Sequence, residues 1–230
     1  MATEVPPAGL APGAAASRLQ ILATEHWSLL ATRSLTYTET FSRVTIFLGI
    51  LSGAVIALAL VAQADRFGAT FIAIAIPMLA IVLFAGIATI ARLSALNRDD
   101  FRWVIAMNRL RHAYLELHPE LEPHFTTSQF DDVRGALLTL GIDDVAAARG
   151  VGSLFHLLQT LPGMLTVIVA AVAGAIGALA ALAVGLPPVG AIVAAAVAFL
   201  LLLVLMGISG RRSFGGPSPG LEPRFPSPGA

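Results

Sequence analysis

The chain has 230 residues, 57% of them hydrophobic and only 12% charged, with a formal net charge of zero. Soluble domains carry roughly a quarter charged residues, so this composition points to a membrane protein, and neutrality argues against a basic nucleic-acid-binding face. Cysteine is absent, which excludes disulfides, thiolate metal sites and a cysteine nucleophile. Lysine is absent too: all fourteen basic residues are arginine. With abundant Ala, Gly and Pro, this usage suggests GC-rich codons and a bacterial source.

Residues 1–16 are rich in Pro, Ala and Gly and read as a disordered tail, without the basic start and apolar core of a secretory signal. Residues 17–118 form the next block. Ser17 and Gln20 have capping-box spacing, which predicts that an amphipathic helix begins at Ser17 and runs to Arg43. Leu19, Leu22, Leu30, Tyr37 and Phe41 share its expected apolar face, with His26 and Arg33 among them.

Two uncharged apolar runs follow, 44–64 and 67–91, separated only by a short turn around Gln63–Arg66. Each is long enough to cross a hydrocarbon core of roughly 30 Å as a helix. Pro77 interrupts the second and predicts a kink. A second amphipathic helix continues from Arg92 to His118, with Leu93, Leu96, Val104, Met107, Tyr114 and Leu115 as its stripe. Asn97, Asp100, Asn108 and Arg111 interrupt that stripe, and Pro119 ends the helix. Leaving one membrane face through a tight outer turn, the two amphipathic helices should pack antiparallel. Counting out from the bilayer edge places Arg33 opposite Asp100 and His26 near Asn108, so an Arg33–Asp100 ion pair is predicted to set the register.

Residues 119–161 read as a helical linker. Thr127 or Ser128 is the expected cap of a short helix to Thr139, ended by Gly141. Asp143 or Asp144 starts another through Ala148, and Val151–Leu161 approaches the membrane amphipathically before Pro162. Residues 162–209 hold two further apolar runs, 163–186 and 189–209, joined at Gly185–Pro188. Ala170, Gly174, Ala178 and Ala173, Gly177, Ala181 repeat at intervals of four, a spacing that lets helices approach closely, against Gly190, Ala194 and Ala198 of the last run. Residues 210–230 read as a disordered, proline-rich tail whose Pro-Ser-Pro pieces are candidate partner or phosphorylation sites.

The fold class is therefore all-α: a polytopic membrane protein with four transmembrane helices in two tight hairpins and a cytoplasmic antiparallel helical extension. Thirteen of the fourteen arginines flank the runs on one side and only Arg66 lies on the other. The positive-inside rule then gives an inner-membrane protein with both termini cytoplasmic.

Chemistry-bearing motifs are missing. His112 and Glu116 have ligand spacing on a helix, and His118 and His124 flank an acidic loop, but a zinc site needs three or four ligands. Asp99–Asp100 and Asp131–Asp132 read as solvated or helix-starting carboxylates. No phosphate loop, nucleophile elbow or His-Glu-x-x-His occurs, and Gly150–Leu154 lacks the lysine of a nucleotide loop. The expectation is no catalytic, cofactor-binding or metal residue, no cofactor, and no nucleic-acid partner. The expected partners are the lipid bilayer and further copies of the chain.

The helix order, with NRDDF at 97–101 and MNRLRHAYLELHPEL at 107–121, resembles uncharacterised integral membrane proteins of high-GC bacteria. At the level of architecture it is similar to SLATT-type two-transmembrane domains over about residues 17–140. That resemblance implies an oligomeric, pore-forming membrane effector; the second pair of runs departs from its two-span plan. The sequence thus points to a non-enzymatic membrane protein acting through helix association as an oligomeric scaffold or pore-like effector. The alternative is a permease-like subunit for a neutral solute, with Thr45, Ser52, Thr70 and Thr89 lining a shared cavity.

Overall fold

The computed structural model describes residues 12–65, 67–142, 160–214 and 222–228. Its long helices are α1 (Pro12–Asp65), α2 (Ala69–Leu117), α4 (Leu161–Ala183) and α5 (Pro188–Phe214). Between α2 and α4 lie a 3₁₀ turn, Pro119–His124, and the short helix α3, Val133–Thr139. No strand occurs among the described residues. All four long helices contain a stretch long and apolar enough to cross a membrane, which is the architecture of a multi-pass membrane protein.

The two amphipathic helices and the first two apolar runs are not separate elements: each run continues without a break into its amphipathic extension. The expected cap at Ser17 is corrected, because α1 begins five residues earlier at Pro12. Proline suits a first helical turn, where an N–H has no intrahelical partner, and Ala14, Ala15 and Ala16 are strong helix formers. Likewise α5 passes Ser209 and runs to Phe214. Arg66, the helix expected at 143–148 and nearly all of the 151–161 approach lie outside the described residues.

The chain divides into two compact units. The first combines Met1–Thr36, Asp99–Ala148 and Ser218–Ala230; the second combines Tyr37–Arg98 and Arg149–Pro217.

In the second unit the core is a cluster of aliphatic and aromatic side chains. Phe47 and Ala54 of α1, Leu79, Val82, Ile90 and Leu93 of α2, and Leu165, Val169 and Val172 of α4 are its buried members. Val44, Phe47, Leu51, Ala54 and Leu58 recur at alternating intervals of three and four, so one stripe of α1 faces inward. Gly86 lets three helices meet: a Cβ there would lie 2.5 Å from Val169 Cγ2 and 3.0 Å from Phe47 Cε2. The small-residue face of α4 packs on α5. A Cβ on Gly177 would sit 2.8 Å from the Ala194 carbonyl and 2.9 Å from Ala198 Cβ, and one on Gly174 would sit 3.1 Å from the Ala195 carbonyl. Ala194 and Ala198 thus take the expected part, but Gly190 does not, since its nearest neighbours are Leu186 and Pro187 of its own chain turn.

The ends of these helices are closed by local chemistry. Gly185 has φ +79°; its N–H donates to Leu182 O at 3.0 Å and that of Leu186 to Ala181 O at 3.0 Å, the paired bonds of a glycine C-cap. Thr160 caps α4 by accepting from Gly163 N, with Pro162 in the first turn. Before α2, the Asp65 carboxylate accepts from Phe71 N at 2.7 Å. Glu39 accepts from Arg92 at 2.9 and 3.1 Å and from Arg43 at 2.8 Å. The hydrogen bonds from Arg92, then from Arg43, hold its carboxyl down at about 2.

Candidate functional site

The first unit is held together by polar side chains rather than by a large apolar core. Among the described residues its buried apolar cluster is Val104, Ile105 and Ala136 with Phe101 against them. Arg33 of α1 and Asp100 of α2 pair at 2.6 Å through Nε and 3.2 Å through Nη2, both side chains mostly buried. This is the pair that the register count predicts. Nearer the N-terminus, Arg18 reaches Glu116 at 2.9 Å.

The face that α1 turns inward matches the expected one at Leu22, His26 and Arg33 and differs elsewhere. Leu22, His26, Arg33 and Thr36 are half-buried and Leu29 is buried, giving a stripe at intervals of four and three. Leu19, Leu30, Tyr37 and Phe41 are exposed, together with Trp27 at 70%. The inward stripe tolerates polar residues because α2 supplies partners: Asp100 for Arg33, and the Tyr114 ring for His26 at a centroid distance of 6.0 Å. Burial, and secondarily the Arg111 charge, pushes the His26 pKa down, so its imidazole is neutral near pH 7. His26 and His112 each have a buried Nδ1 without a hydrogen-bond partner among the described residues.

Asn108 is fully buried and joins three segments. Its Nδ2 donates to Phe130 O at 2.8 Å, while Oδ1 accepts from Arg111 at 2.6 Å and from Thr139 Oγ1 at 2.9 Å. The loop ahead of α3 is thereby fixed, and with it Asp131 and Asp132. The cap of α3 is Asp132, whose Oδ1 accepts from Gly135 N at 2.6 Å, and not Thr127 or Ser128. Ser128 instead closes a small turn by accepting from Phe130 N at 3.1 Å. Glycine is required at 135, since a Cβ would lie 2.1 Å from the Phe130 carbonyl oxygen. At the other end Gly141, φ +78°, closes the helix as expected.

Both carboxylates then hold the C-terminal segment. Asp131 has a side chain with no exposed surface. It accepts from Arg224 N at 2.9 Å, Phe225 N at 2.8 Å and Arg109 Nε at 2.6 Å, while its own N–H donates to Phe225 O at 3.1 Å. Asp132 accepts from Ser227 N at 2.8 Å and from the Ser227 hydroxyl. Arg109 also donates to Glu222 O at 2.7 Å, and His112 stacks on Phe225 with centroids 3.9 Å apart and a 20° tilt. The expectation of a tail without structure is therefore corrected for residues 222–228. Proline stiffens this stretch, lowering the entropy lost on docking, and its free amides find ionised acceptors.

Burial raises the pKa of Asp131, but bonds from the Arg224 amide, Arg109 and the Phe225 amide outweigh it and leave the carboxyl below its ordinary value. Asp132 behaves alike: burial raises it, and the Ser227 hydroxyl, the Gly135 amide and the Ser227 amide bring it down. Two buried, immobilised carboxylates in the loop that opens α3 suit the capture of an extended backbone.

The other singled-out residues are scattered. His112 Nε2 lies 3.8 Å from Glu116, and His118 Nδ1 lies 3.0 Å from Glu120. Among the described residues no three His, Cys, Asp or Glu side chains converge as a metal site. An open cavity of about 230 Å³ is bounded by His112, Leu115, Glu116, Pro119, Glu122 and Gln129. Thr45 and Thr89 donate to the Phe41 and Ala85 carbonyls of their own helices, and Thr45, Ser52 and Thr70 are exposed. No protein-family model, curated protein or solved structure matches the chain.

Proposed function

We propose that the chain is a non-enzymatic inner-membrane protein that acts through helix association, as an oligomeric scaffold or pore-like effector. Its four spans form two hairpins, with both termini and the central segment in the cytoplasm; the one-sided placement of arginine supports this orientation. The observation that carries the reading is the exposed apolar row on α1. Leu19, Trp27, Leu30 and Phe41 are 39%, 70%, 41% and 60% exposed, and all precede the apolar run that opens at Val44. Lipid covers exposed apolar positions within the run, but not a tryptophan seventeen residues ahead of it. At about 25 cal/mol per Å² of apolar surface, covering such a row is a substantial drive to association. A second copy of α1 supplies a matching face. The resemblance to SLATT-type domains points to the same class of assembly.

Native mass measurement of the full chain in lipid nanodiscs tests this. A defined oligomer is expected, dissociated by Trp27→Glu with Leu30→Glu, and conductance in planar bilayers is expected of the pore form. A strict monomer at micromolar concentration contradicts the proposal.

A further inference from the structure

Residues 222–228 are held in a manner that differs from ordinary packing. Seven backbone or side-chain donors and acceptors fix the segment, yet only Ser227 is buried and Phe225 half-buried; Glu222, Pro223, Arg224, Pro226 and Pro228 remain exposed. Two inward side chains two residues apart, with the backbone read between them, is the pattern by which proteins recognise extended peptides from a partner. The receptor is prebuilt: Asp131 and Asp132 are positioned by Asn108, Gly135 and Arg109, all of them outside the bound segment. The Phe225 ring stacks on His112.

We propose that Asp131, Asp132, Arg109 and His112 form a recognition site for extended proline-containing peptides with a Phe-Pro-Ser core, supplied by a partner protein, and that the chain's own C-terminal segment is its resident competitor. The two carboxylates read consecutive and next-but-one amides, His112 selects an aromatic side chain, and Asp132 selects a hydroxyl. Proline before and after the serine keeps the ligand extended and removes amides that the site has no acceptor for. A tethered ligand faces its site at an effective concentration of about millimolar, so a free peptide competes only when the resident segment is weakened or released. A segment carrying phosphoserine at 227 would set a doubly charged group against Asp132 and would not dock.

The test uses the full-length protein in detergent or nanodiscs and a fluorescein-labelled peptide Glu-Pro-Arg-Phe-Pro-Ser-Pro. In the Phe225→Ala/Ser227→Ala variant, whose own segment has lost both inward side chains, the peptide is expected to bind at least tenfold more tightly than to the wild type. Asp132→Asn added to that variant removes binding, and a phosphoserine peptide does not bind. Independently, millimolar peptide added to the wild type raises hydrogen exchange at the Arg224, Phe225 and Ser227 amides. Equal binding of a scrambled peptide overturns the proposal. So does failure to bind the double variant combined with unchanged exchange in the wild type.

Discussion

The two units hold their helices by opposite means. Where α4 meets α5, contact is made by glycine and alanine and is limited by backbone distance; where α1 and α2 carry Arg33, Asp100 and Asn108, contact is made by charges and amides. The difference follows the surroundings that each part of the sequence suits. In hydrocarbon an apolar side chain gains nothing by leaving lipid, so close approach and dispersion must supply the association. In water, specific polar contacts can fix a register, and a small apolar cluster suffices beside them.

Replacing glycine should break the first kind of contact most severely. Gly177→Leu drives a side chain into the Ala194 carbonyl, a backbone atom that cannot swing aside. Overpacking of this kind costs about 1–3 kcal/mol or more and should abolish the monodisperse peak in size-exclusion chromatography. Gly207, with open space around its Cα, is the matched control: Gly207→Ala should raise thermal stability by up to about 1 kcal/mol.

Asn108→Leu probes the second kind. It strands the Phe130 carbonyl, Arg111 and Thr139, and leaving buried partners unsatisfied costs about 1–3 kcal/mol each when no water replaces them. The expected readout is a lower unfolding temperature together with increased exchange at the Asp131 amide.

A smaller effect is the release of residues 222–228 by acid. Asp131 and Asp132 have lowered pKa values when the segment is docked. Their contribution is therefore fully present above the ordinary carboxylate value near 4 and is lost as pH falls through the lowered ones. Exchange at the Phe225 and Ser227 amides, corrected for intrinsic rate, should be constant from about pH 8 to pH 5 and rise only below about pH 4. Release at pH 6 would mean that a histidine, and not the carboxylates, controls docking. The smallest effect belongs to Glu39→Gln. Its ion pairs with Arg43 and Arg92 are largely exposed, so no change in unfolding temperature is expected at 150 mM salt.

The legible parts of this chain were those with long periodicity. Four uncharged runs announced the four apolar helices, Pro119 announced the end of α2, and the helical rise alone put Arg33 against Asp100. Faces and caps were harder. The α1 stripe was read only in part: Leu22, His26 and Arg33 turn inward as expected, but Leu29 takes the place given to Leu30, and Leu19, Tyr37 and Phe41 are exposed. Ser17 was a persuasive cap, but helix propensity at 14–16 carried the helix past it. The clasp on residues 222–228 gave almost no signal. Seven residues are too few for a period, and an aspartate pair reads as solvated until the amides it accepts from are seen. The hint the sequence offered was the Pro-Ser-Pro piece at 226–228, which reads as a partner or phosphorylation site.

Cysteine-specific cross-linking decides whether α1 associates between copies, and the chain, having no native cysteine, needs no prior substitution. With a short bis-maleimide in native membranes, Trp27→Cys should yield cross-linked dimers, whereas Leu22→Cys, on the inward stripe, should not. Monomer alone from Trp27→Cys, with the thiol shown to be reactive, would contradict the account.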